Sequence, residues 1–296
     1  MTTVEQGIDQ GMFAGNVKKR RKRSDYFGRA CAILTWSGIV LLVVLITHVL
    51  LQGIGWLSLD FLNNPPSRHP EKAGLMPAIW GTLWMIGLTA TFSIPIGVAA
   101  AVYLEEYSTP NRFTRLIELN ISNLAGVPSI VYGILGLAIF VRWIGFGRSL
   151  IAGSLTMSLL ILPVVIIASR EAIRAVPNSL RLAALGIGAT RWQTTLHHVL
   201  PAALPGILTG VILAISRAIG ETAPLIMIGA LTYVAFAPTG PGDSFTVLPI
   251  QIYNWASRPQ PEFHGLAAAG ILVLLTVLLA TNLAAVMIRH RAHKKP

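Results

Sequence analysis

Two ionised side chains stand in an otherwise apolar run, 202–230: Arg217 and Glu221, in Ser216-Arg217-Ala-Ile-Gly220-Glu221-Thr222-Ala-Pro224. An arginine near mid-membrane costs roughly 2.5–3.5 kcal/mol on insertion scales, so it needs a counter-charge, water or a ligand. Glu221 follows four residues on, one helical turn away and on the same face. One reading is a self-neutralising pair that merely lets the helix insert. Neutral residues would do that at no cost, which favours a polar path in which Arg217, Glu221 and Thr222 meet a substrate. Gly220 and Pro224 weaken the helix there and would open backbone groups to a cavity. Arg170, at the inner end of the preceding apolar run, is a weaker candidate for the same path; a charge anchoring that end to the inner side is its simpler role.

Covalent chemistry has no visible carrier. Gly-Lys never occurs as a dipeptide, which removes the phosphate-cradling nucleotide loop, and no His-Glu-x-x-His is present. The adjacent His197-His198 read as surface or interfacial residues, not metal ligands. Glu105-Glu106 resembles an acidic pair, but neighbouring helical positions diverge, and an inner helix terminus accounts for them better. No metal site and no cofactor are expected, so energy must come from ions or from a partner.

The elements that position these residues are membrane spans. Of 296 residues, 53% are hydrophobic and 12% charged, half the charge of an ordinary soluble domain. Mean hydropathy is +0.65. Disorder is excluded by this composition, and a disulfide scaffold by the single cysteine, Cys31. Six apolar stretches approach the length that crosses about 30 Å of hydrocarbon: 30–53, 78–103, 121–141, 149–168, 202–230 and 266–288. Only Arg142-Trp-Ile-Gly-Phe-Gly-Arg148 separates the third from the fourth, a tight hairpin turn. An all-α membrane protein of six transmembrane helices follows.

Charge orients it. Lys and Arg number seven in the tail 1–29, two in 104–120, four in 169–201 and four after 288. Those segments alternate onto one side; the other carries Arg68, Lys72, Arg142, Arg148 and Arg258. The net charge of +11 therefore reflects a positive-inside bias, with both termini cytoplasmic. The run Lys18–Arg23 borders a span, so it serves topology and contact with membrane lipid, and no nucleic-acid partner is expected. The chain divides into a basic tail (1–29), a retained first helix (30–53), a periplasmic loop (54–77), a membrane domain (78–288) and a short cytoplasmic tail (289–296). The outer loops 54–77 and 231–264 read as irregular caps.

The inner loop 170–201 predicts two short helices joined at glycine. Pro177 ends the extension of span four, and Asn178 or Ser179 can cap a helix to about Leu185. Gly186 and Gly188 permit φ > 0. Thr190 and Gln193 form a capping box that opens the second helix. Leu185, Trp192 and Leu196 leave an apolar tip beside Arg181 and Arg191, suited to a partner's groove; an amphipathic element lying on the bilayer is the alternative.

This loop resembles the coupling motif of ATP-binding-cassette (ABC) importer permeases, Glu-Ala-Ala-x3-Gly-x9-Ile-x-Leu-Pro. Ala183, Ala184, Gly188, Leu200 and Pro201 match in register; Leu182 stands where the motif has Glu, and His198 where it has Ile. Arg-Ala-Ile-Gly-Glu-Thr-Ala-Pro is similar to the corresponding stretch in permeases of the phosphate-specific transport system, as are Gly-Ala-Thr-Arg-Trp-Gln and Leu-Pro-Ala-Ala-Leu-Pro-Gly. The resemblance implies the type I (MetI-like) importer fold in a bacterial inner membrane and a non-enzymatic pore half whose coupling loop includes Ala183, Ala184, Gly186, Gly188, Leu200 and Pro201. It further implies a second permease subunit, two ATPase subunits that bind the ATP, and a periplasmic phosphate-binding protein. In that family the Arg and Glu corresponding to Arg217 and Glu221 are associated with the phosphate path. Phosphate keeps a P–OH proton near neutrality whereas sulfate does not, so an arginine beside a carboxylate acceptor suits it. Another oxyanion, such as sulfate or molybdate, a non-transporting signalling subunit and a secondary carrier are the rivals. A pure sensor needs no polar mid-membrane site, and a carrier needs no projecting inner loop.

Overall fold

The computed structural model describes residues 6–230 and 233–293. The first five residues of the expected N-terminal tail and the last three of the C-terminal tail lie outside the described residues. The chain forms two units, residues 1–51 and 52–296.

Helix α1 (Gln6–Gly53) dominates the first unit. Its stretch Arg20–Trp56 is long and apolar enough to cross a membrane. The expected first span is therefore present, but the basic residues before it continue the same helix instead of forming a separate tail. Thr35 and Thr47 donate to the carbonyls of Cys31 and Val43, four residues back, which satisfies both hydroxyls inside an apolar helix.

The second unit contains α2 (Leu59–Asn63), α3 (Met76–Val102), α4 (Arg112–Ala125), α5 (Ser129–Gly136), α6 (Leu150–Arg174), α7 (Asn178–Gly186), α8 (Arg191–Thr194), α9 (Leu200–Gly220), α10 (Ala223–Ile228), α11 (Leu248–Ala256) and α12 (Pro261–His293). Wider π turns continue α3 (Tyr103–Tyr107), continue α5 (Leu137–Trp143) and join α8 to α9 (Thr195–Val199). Pro201 cannot donate a hydrogen bond to the turn before it, which accounts for the relaxed winding at 195–199.

Helix α6 is the centre of the unit, buried along its length and flanked by α3 and α9. Lipid gives apolar side chains no reason to leave it for a neighbouring helix, so close backbone approach holds such helices together. On α9, Gly206 and Gly210 face Ala172 and Ala168 of α6, and a Cβ at Gly210 would overlap that of Ala168. Both pairs are spaced by four, and their opposite order makes the helices antiparallel. Continuing that register puts Arg217 level with about residue 161, near the middle of α6.

Three further expectations change. The third span is not one helix: α4 and the α5 segment meet at a bend of 103°, because Pro128 follows Gly126 and denies the chain an uninterrupted hydrogen-bond ladder. Span five ends at Gly220, and its last third is the separate α10. The outer loops are not irregular caps. Phe61 on α2, Trp255 on α11 and Phe263 on α12 are buried together with Leu75 and Leu248, with the Phe61 and Trp255 rings 5.8 Å apart.

Candidate functional site: a charged break in α9 and an inner helix pair

The break follows from sequence. Gly220 closes α9, Glu221 is extended (φ −78°, ψ 124°), and α10 starts with Pro224 in its first turn, where proline loses nothing. Arg217 Nε lies 3.3 Å from Glu221 Oε1. The Arg217 side chain is 50% exposed and that of Glu221 20%. This contact uses Nε alone; among the described residues the terminal nitrogens Nη1 and Nη2 make no hydrogen bond. A guanidinium fork is thus held by one edge and presents the other, the geometry that binds oxyanions in a bidentate manner. Thr222 is half-buried beside the pair, and its carbonyl accepts from Ile226 N at 3.1 Å. The structure therefore brings Arg217 and Glu221 together, whereas Thr222, the next residue, precedes α10 and its hydroxyl makes no hydrogen bond to either among the described residues.

Arg170 is elsewhere, at the end of α6 and about 13 Å along that helix from the level of Arg217, at 1.5 Å per residue. It donates to Glu105 Oε1 at 2.8 Å and to Glu118 Oε1 at 2.6 Å, with its side chain only 12% exposed. Arg174 joins the same carboxylate of Glu105 at 2.7 Å. Arg170 is thus a tie between α3, α4 and α6.

At the inner helix pair the expected details hold in part. Thr190 Oγ1 accepts from Gln193 N at 3.3 Å while Gln193 Oε1 accepts from Thr190 N at 2.9 Å, the reciprocal capping box. Gly188 has φ +89°. Its N–H bonds to Leu185 O and that of Ala189 to Ala184 O, the paired closure that ends a helix on a left-handed residue. Gly186 instead remains the last helical residue of α7. Pro177, not Asn178 or Ser179, takes the position before the helix, and Asn178 Oδ1 accepts from Arg181. Ala184 is buried under α7 while Ala183 is exposed, and Leu200 packs against the main core with Pro201 outside it. The second helix, α8, runs through the π turn directly into α9. Leu182, Leu185, Ile187, Trp192 and Leu196 are all exposed, forming the apolar tip.

Sequence reasoning reads Glu105 and Glu106 as a helix terminus without finding their arginine partners, and it misses Asn282. Adjacent carboxylates that point apart serve two different ties: Glu105 takes Arg170 and Arg174, and Glu106 takes Arg181 at 2.7 Å. The excess of arginines in 170–181 was the available signal. Asn282 Oδ1 on α12 lies 2.5 Å from Ser216 Oγ, one residue before Arg217. Among the described residues no three His, Cys, Asp or Glu side chains gather to hold a metal ion.

Residues 93–294 match the family of binding-protein-dependent transport system inner membrane components. The chain belongs to that family. It is 32% identical over 281 residues to the probable ABC transporter permease protein YqgI of Bacillus subtilis, covering 91% of this chain and 94% of the relative. It is 36% identical over 228 residues to the phosphate transport system permease protein PstA 1 of Mycobacterium tuberculosis, covering 76% and 74%. In fold it is similar to a chain of the inward-facing MetNI methionine ABC transporter (TM-score 0.63, 18% identity, 74% of this chain and 95% of that one). It is also similar to one of a bacterial alginate ABC transporter (TM-score 0.66, 16% identity, 94% and 98%). This permease is accordingly an all-helical, multi-pass membrane subunit of the type I importer fold, and it is not itself an enzyme. ATPase and substrate-binding-protein partners follow from its family.

Proposed function

We propose that this permease forms half of the translocation pathway of an ATP-driven importer of inorganic phosphate. The observation that carries the reading is the Arg217–Glu221 pair at the break between α9 and α10: a guanidinium with its fork uncommitted, beside a carboxylate that can accept a P–OH hydrogen bond. The likeness to phosphate transport permeases over most of the chain supports the same substrate. Arg217, Glu221 and Thr222 line the path, whereas Arg170 secures the inner end of α6. The partners are a second permease subunit of the phosphate-specific system, two ATPase subunits that dock on the inner helix pair, and a periplasmic phosphate-binding protein. Both termini face the cytoplasm, on the side with the larger share of Lys and Arg. The test is uptake of labelled phosphate in cells lacking other phosphate carriers, with sulfate and molybdate as competitors. Uptake that depends on this chain and resists both competitors supports the reading; uptake abolished by sulfate or molybdate refutes it.

A further inference from the structure

Arg181 of α7 is engaged on every side. Its Nε and Nη2 donate to Glu106 Oε1 at 3.1 and 2.7 Å, Nη2 also to Ile173 O at 3.0 Å, and Nη1 to Val176 O at 2.6 Å and Asn178 Oδ1 at 3.3 Å. Ile173 lies in the last turn of α6, and Val176 in the short link that follows it. One guanidinium thus closes the end of α6, fixes the first turn of α7 and grips the end of α3. The Arg181 and Glu106 side chains are 18% and 11% exposed, so water and salt screen the pair weakly. Only residues 175–177 connect α6 to α7. With Arg181 in place, a tilt of α7 pulls on α3 through Glu106.

We propose that Glu106–Arg181 is a strut that carries motion of the inner helix pair into α3, and that both are positioning residues for coupling transport to ATP hydrolysis; this rests on the importer reading above. The surroundings suit such a part. Glu105, one residue before, ties α3 to Arg170 and Arg174 of α6, giving the strut a fixed abutment. The carboxylate end of the strut lies in the π turn Tyr103–Tyr107, and the second inner helix enters α9 through the π turn Thr195–Val199. Such turns are rare interruptions of α-helical winding and are frequent at functional sites. The two turns face one another across an apolar groove of about 420 Å³ that includes Tyr103, Tyr107, Trp192 and Leu196. Displacement of α7 therefore passes to α3 through Glu106, and displacement of α8 passes to α9, which carries Arg217.

The experiment uses the whole complex in phosphatidylethanolamine–phosphatidylglycerol vesicles with binding protein and phosphate, and reads phosphate moved per ATP hydrolysed. A merely structural pair alters yield but not this ratio. Glu106→Gln keeps size and one acceptor but removes the charge, and the ratio should fall by about five-fold or more, the lower end of coupling between sites, while ATP hydrolysis persists. Arg181→Lys keeps the charge but offers three donors from a single nitrogen where Arg181 spans four acceptor groups from three, so its ratio should fall too. An unchanged ratio in an assembled Glu106→Gln complex overturns the strut. If that variant assembles poorly, Arg181→Lys decides in the same way, and loss of assembly in both variants assigns the pair to folding and overturns it as well. A wild-type complex that moves no phosphate refutes the substrate reading instead.

Discussion

Arg217 and Glu221 meet at 3.3 Å across the point where α9 has already ended at Gly220. The pair is not a rung on a helix face. It closes over a backbone break, and the break frees Glu221 to turn toward the arginine without a helical constraint. A pair needed only for insertion gains nothing from interrupting the helix, whereas a ligand path gains exposed polar groups.

Arg217→Gln should therefore lower phosphate uptake about ten- to a hundred-fold, the loss of one hydrogen bond to a charged group at about 1.5–3 kcal/mol, with complex yield unchanged. Insertion should become easier, since a costly charge is gone. The double variant with Glu221→Gln separates the two roles. In a path it stays inactive, because no cation meets the anion on this face. Full uptake in the double variant would leave Arg217 as scaffolding.

Gly188 tests the bend between the inner helices. A Cβ there meets nothing within 4 Å, so only the left-handed backbone (φ +89°) opposes a side chain. That costs about 1–2 kcal/mol for most residues, and more for a β-branched one. Gly188→Val should reduce co-purification of the ATPase subunits and uptake together, whereas Gly188→Asn, which tolerates this conformation, should retain both. Equal behaviour of the two variants would show that the bend does not set docking.

What was legible in the sequence was local. The capping box at Thr190 and Gln193 and the left-handed Gly188 are written within a few residues, and the apolar runs report spans through their length. The bend at 126–128 was hidden because a hydropathy window over 121–141 averages across Gly126 and Pro128, although Arg112, Arg115 and Glu118 mark α4 as amphipathic. The Glu106–Arg181 tie joins residues 75 apart, and only the packing of α3 against α6 brings them together. The aromatic cluster was missed for the same reason: Phe61, Trp255 and Phe263 come from segments whose prolines and glycines resemble those of irregular loops.

Orientation is open to direct labelling. With Cys31→Ser as background, single cysteines at the exposed positions Arg68, Ser179 and Gly242 report the two sides. A membrane-impermeant thiol reagent applied to intact cells should modify positions 68 and 242 and spare 179. Modification at 179 would reverse the topology drawn from the distribution of Lys and Arg.

The turn before α11 makes a prediction about pH. Asp243 Oδ2 accepts from Thr239 N at 2.8 Å, Gly240 N at 2.9 Å and Thr239 Oγ1 at 2.9 Å. These bonds, the Thr239 amide foremost, hold its carboxyl below the ordinary aspartate value. The same turn offers Asp243 O to Leu150 N at 2.9 Å and Pro241 O to Ile151 N at 2.8 Å, two of the N–H groups that open α6 and lack helical acceptors. Because the folded value is depressed, the contribution is complete above the unfolded value of about 3.9 and is lost as pH falls through the lower folded value. Wild-type protection of the Leu150 and Ile151 amides against hydrogen exchange should therefore be level through neutral pH and fall only in acid. Asp243→Asn keeps the size but not the charge, so those amides should exchange faster already at neutral pH, with no further acid-dependent loss. Wild-type exchange rates in that variant at neutral pH would mean that the turn is held by the packing of Phe245 and Val247 beside it, not by the carboxylate.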